Sequence, residues 1–96
     1  MTPLQWLPSA EAALEEIVDY IAIDNLDAAL KLGDQILSAV EAQLTHHPHI
    51  GRPGRVAGTR ELVVHRNYIV IYQVRSDAVV VLDIVHAARF HPHMLL

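Results

Sequence analysis

Residues 58–72, GTRELVVHRNYIVIY, leave few folds open. Over 59–66 the apolar Leu62 and Val64 alternate with Glu61, Val63 and His65, the two-residue period of a strand with one buried face. From 68 to 75 β-branched and aromatic residues dominate, as a central strand covered on both faces requires. Asn67 tolerates positive φ, so Arg66 and Asn67 are predicted to close a two-residue hairpin loop. Ser76 and Asp77 then turn the chain into a further β-branched run over 78–85, with residues 86–89 at its end. A sheet of three strands exposes apolar faces that another layer must cover.

The first half of the chain supplies that layer. Residues 3–7 read as a short edge strand carrying Trp6, the only tryptophan, and Pro8 ends it. Ser9 is the predicted N-cap of a helix to about Asp24, with Glu11 in its first turn and Leu14, Ile17, Val18 and Ile21 on one face. Asn25 is predicted to stop it in a left-handed C-cap, and Asp27 to cap a second helix. The stripe Ala29, Gly33, Ile36, Leu37, Val40 and Leu44 belongs to that second helix, and so short a connection makes the pair antiparallel. Residues 45–57 hold prolines, glycines and histidines and read as a loop; residues 90–96, FHPHMLL, read as an irregular tail. The predicted order is β-α-α-β-β-β: an α+β fold, an antiparallel sheet with an N-terminal antiparallel helical hairpin on one face, as a single domain over residues 1–96.

Composition excludes several function classes. The 96 residues include no cysteine, which removes disulfides and thiolate zinc sites. No apolar run reaches the length of a membrane span, and the chain opens on no leader-like segment, so a cytoplasmic protein without a membrane partner is expected. The net charge of −4 conceals a division. Residues 1–50 carry eight acids against Lys31 alone; residues 51–96 carry six arginines against Glu61, Asp77 and Asp83. An acidic layer and a basic layer follow, the basic one suited to an acidic protein or a phosphate backbone. The overall acidity argues against generic nucleic-acid binding.

The histidine tracts HHPH and HPH match no helix-borne ligand spacing, so no metal site and no cofactor are expected. Ser9, Ser38 and Ser76 fall at a cap, in a helix and in a turn, which gives serine hydrolysis no support. What remains is the arginine set with Tyr68, Tyr72, His86 and His91. Such a set can cleave RNA without metal, by stabilising charge on the pentavalent phosphate and moving the 2′-hydroxyl proton. Equally, those arginines can pair with Glu61, Asp83 or an acidic partner.

The order of YIA at residues 20–22, HPHIGRPGR at 47–55, GTREL at 58–62, NYIVIYQV at 67–74 and IVHAAR at 84–89 resembles the RelE/ParE superfamily of bacterial toxins over nearly the whole chain. The resemblance implies the growth-inhibitory toxin of a type II toxin–antitoxin pair, silenced by a cognate antitoxin in a toxin–antitoxin hetero-oligomer. It also implies one of two targets. RNA-cleaving RelE-like members usually carry arginine after the aromatic of the NY strand, where this chain has Ile69, and they tend to be basic. ParE-like members, which poison DNA gyrase, commonly have an aliphatic residue there and a HAAR-like end to the last strand, as at residues 86–89.

The resemblance therefore points to a ParE-like toxin acting on DNA gyrase, with Arg52, Arg55, Arg60, Arg66 and Arg89 recognising target or antitoxin and Tyr72 packing. The alternative is a ribosome-dependent mRNA endoribonuclease, with Arg60 or Arg89 on the scissile phosphate and His91 or Tyr72 as acid or base. A non-toxic binding module is the third reading. An antitoxin arm is expected to fold on binding and present acids to the basic half, with Met94, Leu95 and Leu96 as apolar contacts in that interface or in a homodimer.

Overall fold

The computed structural model describes residues 1–89; His91 and the apolar contacts expected at residues 94–96 lie outside the described residues. Five strands and two helices appear in the order β1 (Leu4–Trp6), α1 (Pro8–Ala22), α2 (Leu26–His46), β2 (Arg52–Pro53), β3 (Arg60–His65), β4 (Tyr68–Val74) and β5 (Val79–His86), closed by a 3₁₀ turn over Ala87–Arg89. The sheet runs β1-β5-β4-β3-β2. From β2 to β5 every pairing is antiparallel. The N-terminal strand lies parallel to β5, Leu4 opposite Val79 and Trp6 opposite Val81, so the complete sheet is mixed. The helical hairpin between β1 and the rest lets the first and last strands become neighbours.

Both helices pack on one face of the sheet. Ile36, Val40 and Leu44 of α2 are fully buried against Leu62, Val64, Val70 and Tyr72, with Ala10 of α1 against the same core. Each such aliphatic side chain contributes roughly 1.5–3 kcal/mol by leaving water. Ile69 and Ile71 alternate with Val70 and Tyr72, so they face the other side of the sheet, where they are also buried. The helices cross closely at Gly33, where a Cβ would come 3.1 Å from Val18 Cγ2. Leu37, read into the apolar stripe, is instead 44% exposed, and Leu32 takes a place in the core.

The helix ends differ from the sequence expectation. Pro8 does not end the strand from outside the helix; it is the first helical residue, a position where its missing N–H costs nothing, and Leu7 is the cap residue. Ser9 is thereby inside the first turn, and its hydroxyl donates to Leu82 O at 2.7 Å. Asn25 is no left-handed C-cap. It has φ −155° and caps α2, its Oδ1 accepting Ala28 N–H at 3.0 Å, which moves Asp27 into the first turn. The 45–57 loop is also shorter than read, since Thr45 and His46 are helical and Arg52–Pro53 pairs with β3.

Two bulges shape the sheet. Val63 faces Ile69 but His65 faces Tyr68, which leaves Val64 as an extra residue in β3; Tyr72 faces Val81 but Ile71 faces Asp83, which leaves Leu82 extra in β5. Each unpaired carbonyl is taken by a helix: Leu82 O by Ser9, and Val64 O by Gln35 Nε2 at 3.4 Å. Arg66 and Asn67 close the two-residue loop between His65 and Tyr68, and no non-glycine residue has positive φ among the described residues, so the loop does not use the positive φ that Asn67 tolerates. The bulge at Val64 supplies the twist that a primed turn would otherwise give.

Candidate functional site

Five of the six arginines divide into two groups at opposite ends of β3, while Arg75, in the turn after β4, donates to Gln73 Oε1. Arg60 opens the strand and Arg66 follows its end, six residues on, a separation of about 20 Å at strand rise. At the Arg60 end, Glu61 is 2% exposed and accepts from Arg52 Nε at 3.1 Å and from Arg55 N–H at 3.0 Å. Arg52 Nη2 reaches the same carboxylate at 3.0 Å and Arg55 Nε lies 3.7 Å away. Arginine pairing with Glu61, one of the sequence alternatives, is what the fold builds for Arg52 and Arg55.

Arg60 is occupied differently. Its Nε donates to Gly51 O and its Nη2 to His49 O, both at 3.0 Å. Tyr72, opposite Arg60 in the register, is fully buried, and its hydroxyl oxygen accepts Gly51 N–H at 2.9 Å. Both backbone groups of Gly51 are thus held from the sheet. No side chain fits there: a Cβ would lie 2.6 Å from Tyr72 Oη and 2.7 Å from Glu61 O. Arg60 and Tyr72, candidates for phosphate binding and proton transfer, therefore act on the loop that precedes β3. The sequence signal for this was present in HPHIGRPGR, a loop whose glycines had no turn to explain them.

At the other end of the sheet, Arg66 and Arg89 are exposed, and among the described residues neither has an ion-pair partner. Here three strands bring aromatic rings together. Tyr68 lies between His65, with centroids 5.8 Å apart, and His86, 5.4 Å away and edge-on. Both histidines accept a backbone N–H on Nδ1, His65 from Asn67 at 3.1 Å and His86 from Ala88 at 3.2 Å, which leaves Nε2 as the protonated nitrogen of each neutral ring.

Tyr68, His86 and Arg89 line a cleft of about 440 Å³ with Tyr20 and Glu16 of α1 and with Asp83 of β5. Burial pushes the Asp83 carboxyl above its ordinary value, an effect opposed by the Ile84 N–H it accepts and reinforced by the neighbouring Glu16. Arg89 shares this cleft but forms no ion pair with Asp83 among the described residues. His86 is among the candidates read from the sequence and Asp83 is read there as an arginine partner; Tyr20 is not chosen there, because only the docking of α1 over β5 brings it to this cleft. Among the described residues no three His, Asp or Glu side chains converge as metal ligands.

Comparison with known proteins places this geometry. Residues 4–89 match the family model of the ParE toxin of the type II toxin–antitoxin system parDE. A Sinorhizobium fredii protein named "Putative toxin Y4kP" is 40% identical over 93 residues, covering 96% of this chain and 95% of its own length. In the chromosomal ParDE toxin–antitoxin system from P. aeruginosa, one chain superposes with a TM-score of 0.78 at 29% identity, over 90% of this chain and 96% of that one. A copper-bound mutant toxin from Helicobacter pylori shares the fold at a TM-score of 0.59 and 17% identity, over 95% and 100% of the two chains.

Proposed function

Because the chain belongs to the ParE toxin family of type II toxin–antitoxin systems, we propose that it arrests growth by binding DNA gyrase and that a cognate antitoxin neutralises it. The observation that carries the gyrase reading is the engagement of Arg60 and Tyr72 by Gly51 and His49. A nuclease built on those two residues would need an arginine open to phosphate and a phenol open to solvent. Instead the sheet supports a rigid surface, with Arg66 and Arg89 as exposed cations at one end. Recognition of another protein needs such a surface and no proton-transfer pair. In this reading Arg66 and Arg89 contact the target, while Arg52, Arg55 and Arg60 hold the loop between α2 and β3 in shape.

The cleft at Tyr68, His86 and Arg89 favours the second reading, ribosome-dependent mRNA cleavage, since it groups a cation with two acid–base candidates. Induction in cells with two simultaneous measurements separates the two. DNA breaks with an SOS response, and intact translated messages, are expected. Codon-positioned cuts in messages with intact DNA, abolished by His86→Ala or Arg89→Ala, would replace gyrase with the ribosome. Growth arrest relieved by co-expression of the neighbouring reading frame is the expected sign of the antitoxin, and a chain that expresses freely alone without harm would favour a non-toxic binding module.

A further inference from the structure

The solvent side of the helical hairpin is not built as a simple polar face. Leu26, Leu30 and Leu37 of α2 are 60%, 54% and 44% exposed, and their spacings of four and seven residues put them on one side of the helix. Beside Leu37 a groove of about 500 Å³ runs between the helices, floored by Trp6, Leu14 and Val18. Glu11, Glu15 and Asp19, four residues apart on α1, line it as an acidic rail. Asp27, Asp34 and Glu41 recur every seven residues along α2 and form a second, exposed rail on the far flank of the leucines. Among the described residues none of these six carboxylates is ion-paired. Single exposed leucines are ordinary, but a row whose last member, Leu37, lines an apolar groove, the whole flanked by two unpaired rails, is a docking surface.

We propose that this groove receives a basic amphipathic helix of a partner protein, its apolar side chains over Trp6 and Leu37 and its Lys or Arg flanks against the two acidic rails. The charge pattern selects that occupant. A second copy of this chain, related by a two-fold axis, would bring acidic rails against acidic rails, and an acidic helix would do the same. The inference stands whichever target the toxin strikes, because it uses neither the arginines of the sheet nor the cleft at Arg89.

Trp6 is the only tryptophan, so its fluorescence reports on the groove in the unmodified chain. The probe is a synthetic 18-residue helical peptide, about five turns, free of tryptophan, with leucines along one seam and lysines on both flanks. A twin peptide carries glutamates in place of the lysines. Saturable quenching or shift of Trp6 emission is expected with the lysine peptide alone, weakening as salt is raised. Glu15→Lys with Asp19→Lys should weaken that binding by about tenfold and admit the glutamate twin. Asp77→Lys, in the turn before β5, should change nothing. Leu37→Asp should remove binding with the circular dichroism spectrum intact, since Leu37 is already exposed. Equal response to both peptides, or no saturable response, overturns the proposal. So does self-association in sedimentation that Leu37→Asp abolishes, which would make the face a contact between copies.

Discussion

The Tyr72 hydroxyl is buried and accepts Gly51 N–H. Tyr72→Phe removes one buried hydrogen bond and leaves that N–H unmatched, so it should lower unfolding stability by about 1–2 kcal/mol in urea titration. Growth arrest should persist in the same variant; its complete loss in a protein that remains folded would restore Tyr72 as a functional group. Asp83 offers a second test at this scale. Its folded-state pKa lies above the ordinary value of 3.8, so the folded chain binds the proton more tightly than the unfolded chain. Stability therefore falls as pH rises from that ordinary value through the raised one, and the penalty is fully present above it. Asp83→Asn keeps an acceptor for Ile84 N–H and removes the charge. It should raise Tm at pH 7, with the difference closing as the pH falls below 3.8.

At the scale of elements, the amphipathic periods placed both helices and the three long strands, because burial of one face is a local pattern written at 3.6 or 2 residues. The ends were less legible. Asp27 is as good at capping α2 as Asn25 by residue type, and Ser9 lost the α1 cap position to Leu7, because which residue takes the position depends on where the chain turns in three dimensions. Asn25→Ala should cost about 1 kcal/mol of stability, measured by thermal or urea unfolding, whereas Asp27→Ala should cost less because Asp27 is only a favourable charge in the first turn. The bulges at Val64 and Leu82 left no sequence mark either. Each depends on a helix side chain, Gln35 or Ser9, arriving from more than 25 residues away to take the spare carbonyl.

Across the whole molecule, charge is segregated twice: acids on the helical layer against arginines on the sheet, and the arginines again between its two ends. One group is tied into the fold by Glu61, Gly51 and His49 and the other is without an ion-pair partner among the described residues, so substitutions should separate cleanly. Arg66→Glu with Arg89→Glu should relieve growth arrest while changing stability by no more than about 0.5 kcal/mol. Arg52→Ala should cost about 2 kcal/mol by leaving the buried Glu61 carboxylate short of its partner. Urea unfolding and growth curves on the same variants check both. Equal losses of stability in the two sets would mean that the open arginines are structural as well.

The sequence by itself determined the α+β class, the antiparallel helix pair, the β3–β4–β5 meander and the likeness to a toxin superfamily. These rest on hydrophobic period, turn residues and motif order, all properties of neighbours along the chain. Tertiary structure alone decided that β1 joins β5 in parallel, that Glu61 is the buried anchor for Arg52 and Arg55, and that Arg60 serves Gly51 while Arg89 joins Tyr68 and His86. It also turned Leu37 outward. An arginine's role depends on which carboxylate or carbonyl lies within about 3 Å, a distance at which charge-assisted hydrogen bonds form. That distance is set by how β2 and the loop before it fold back on β3 and by how α1 docks over β5, and no spacing in the chain encodes it.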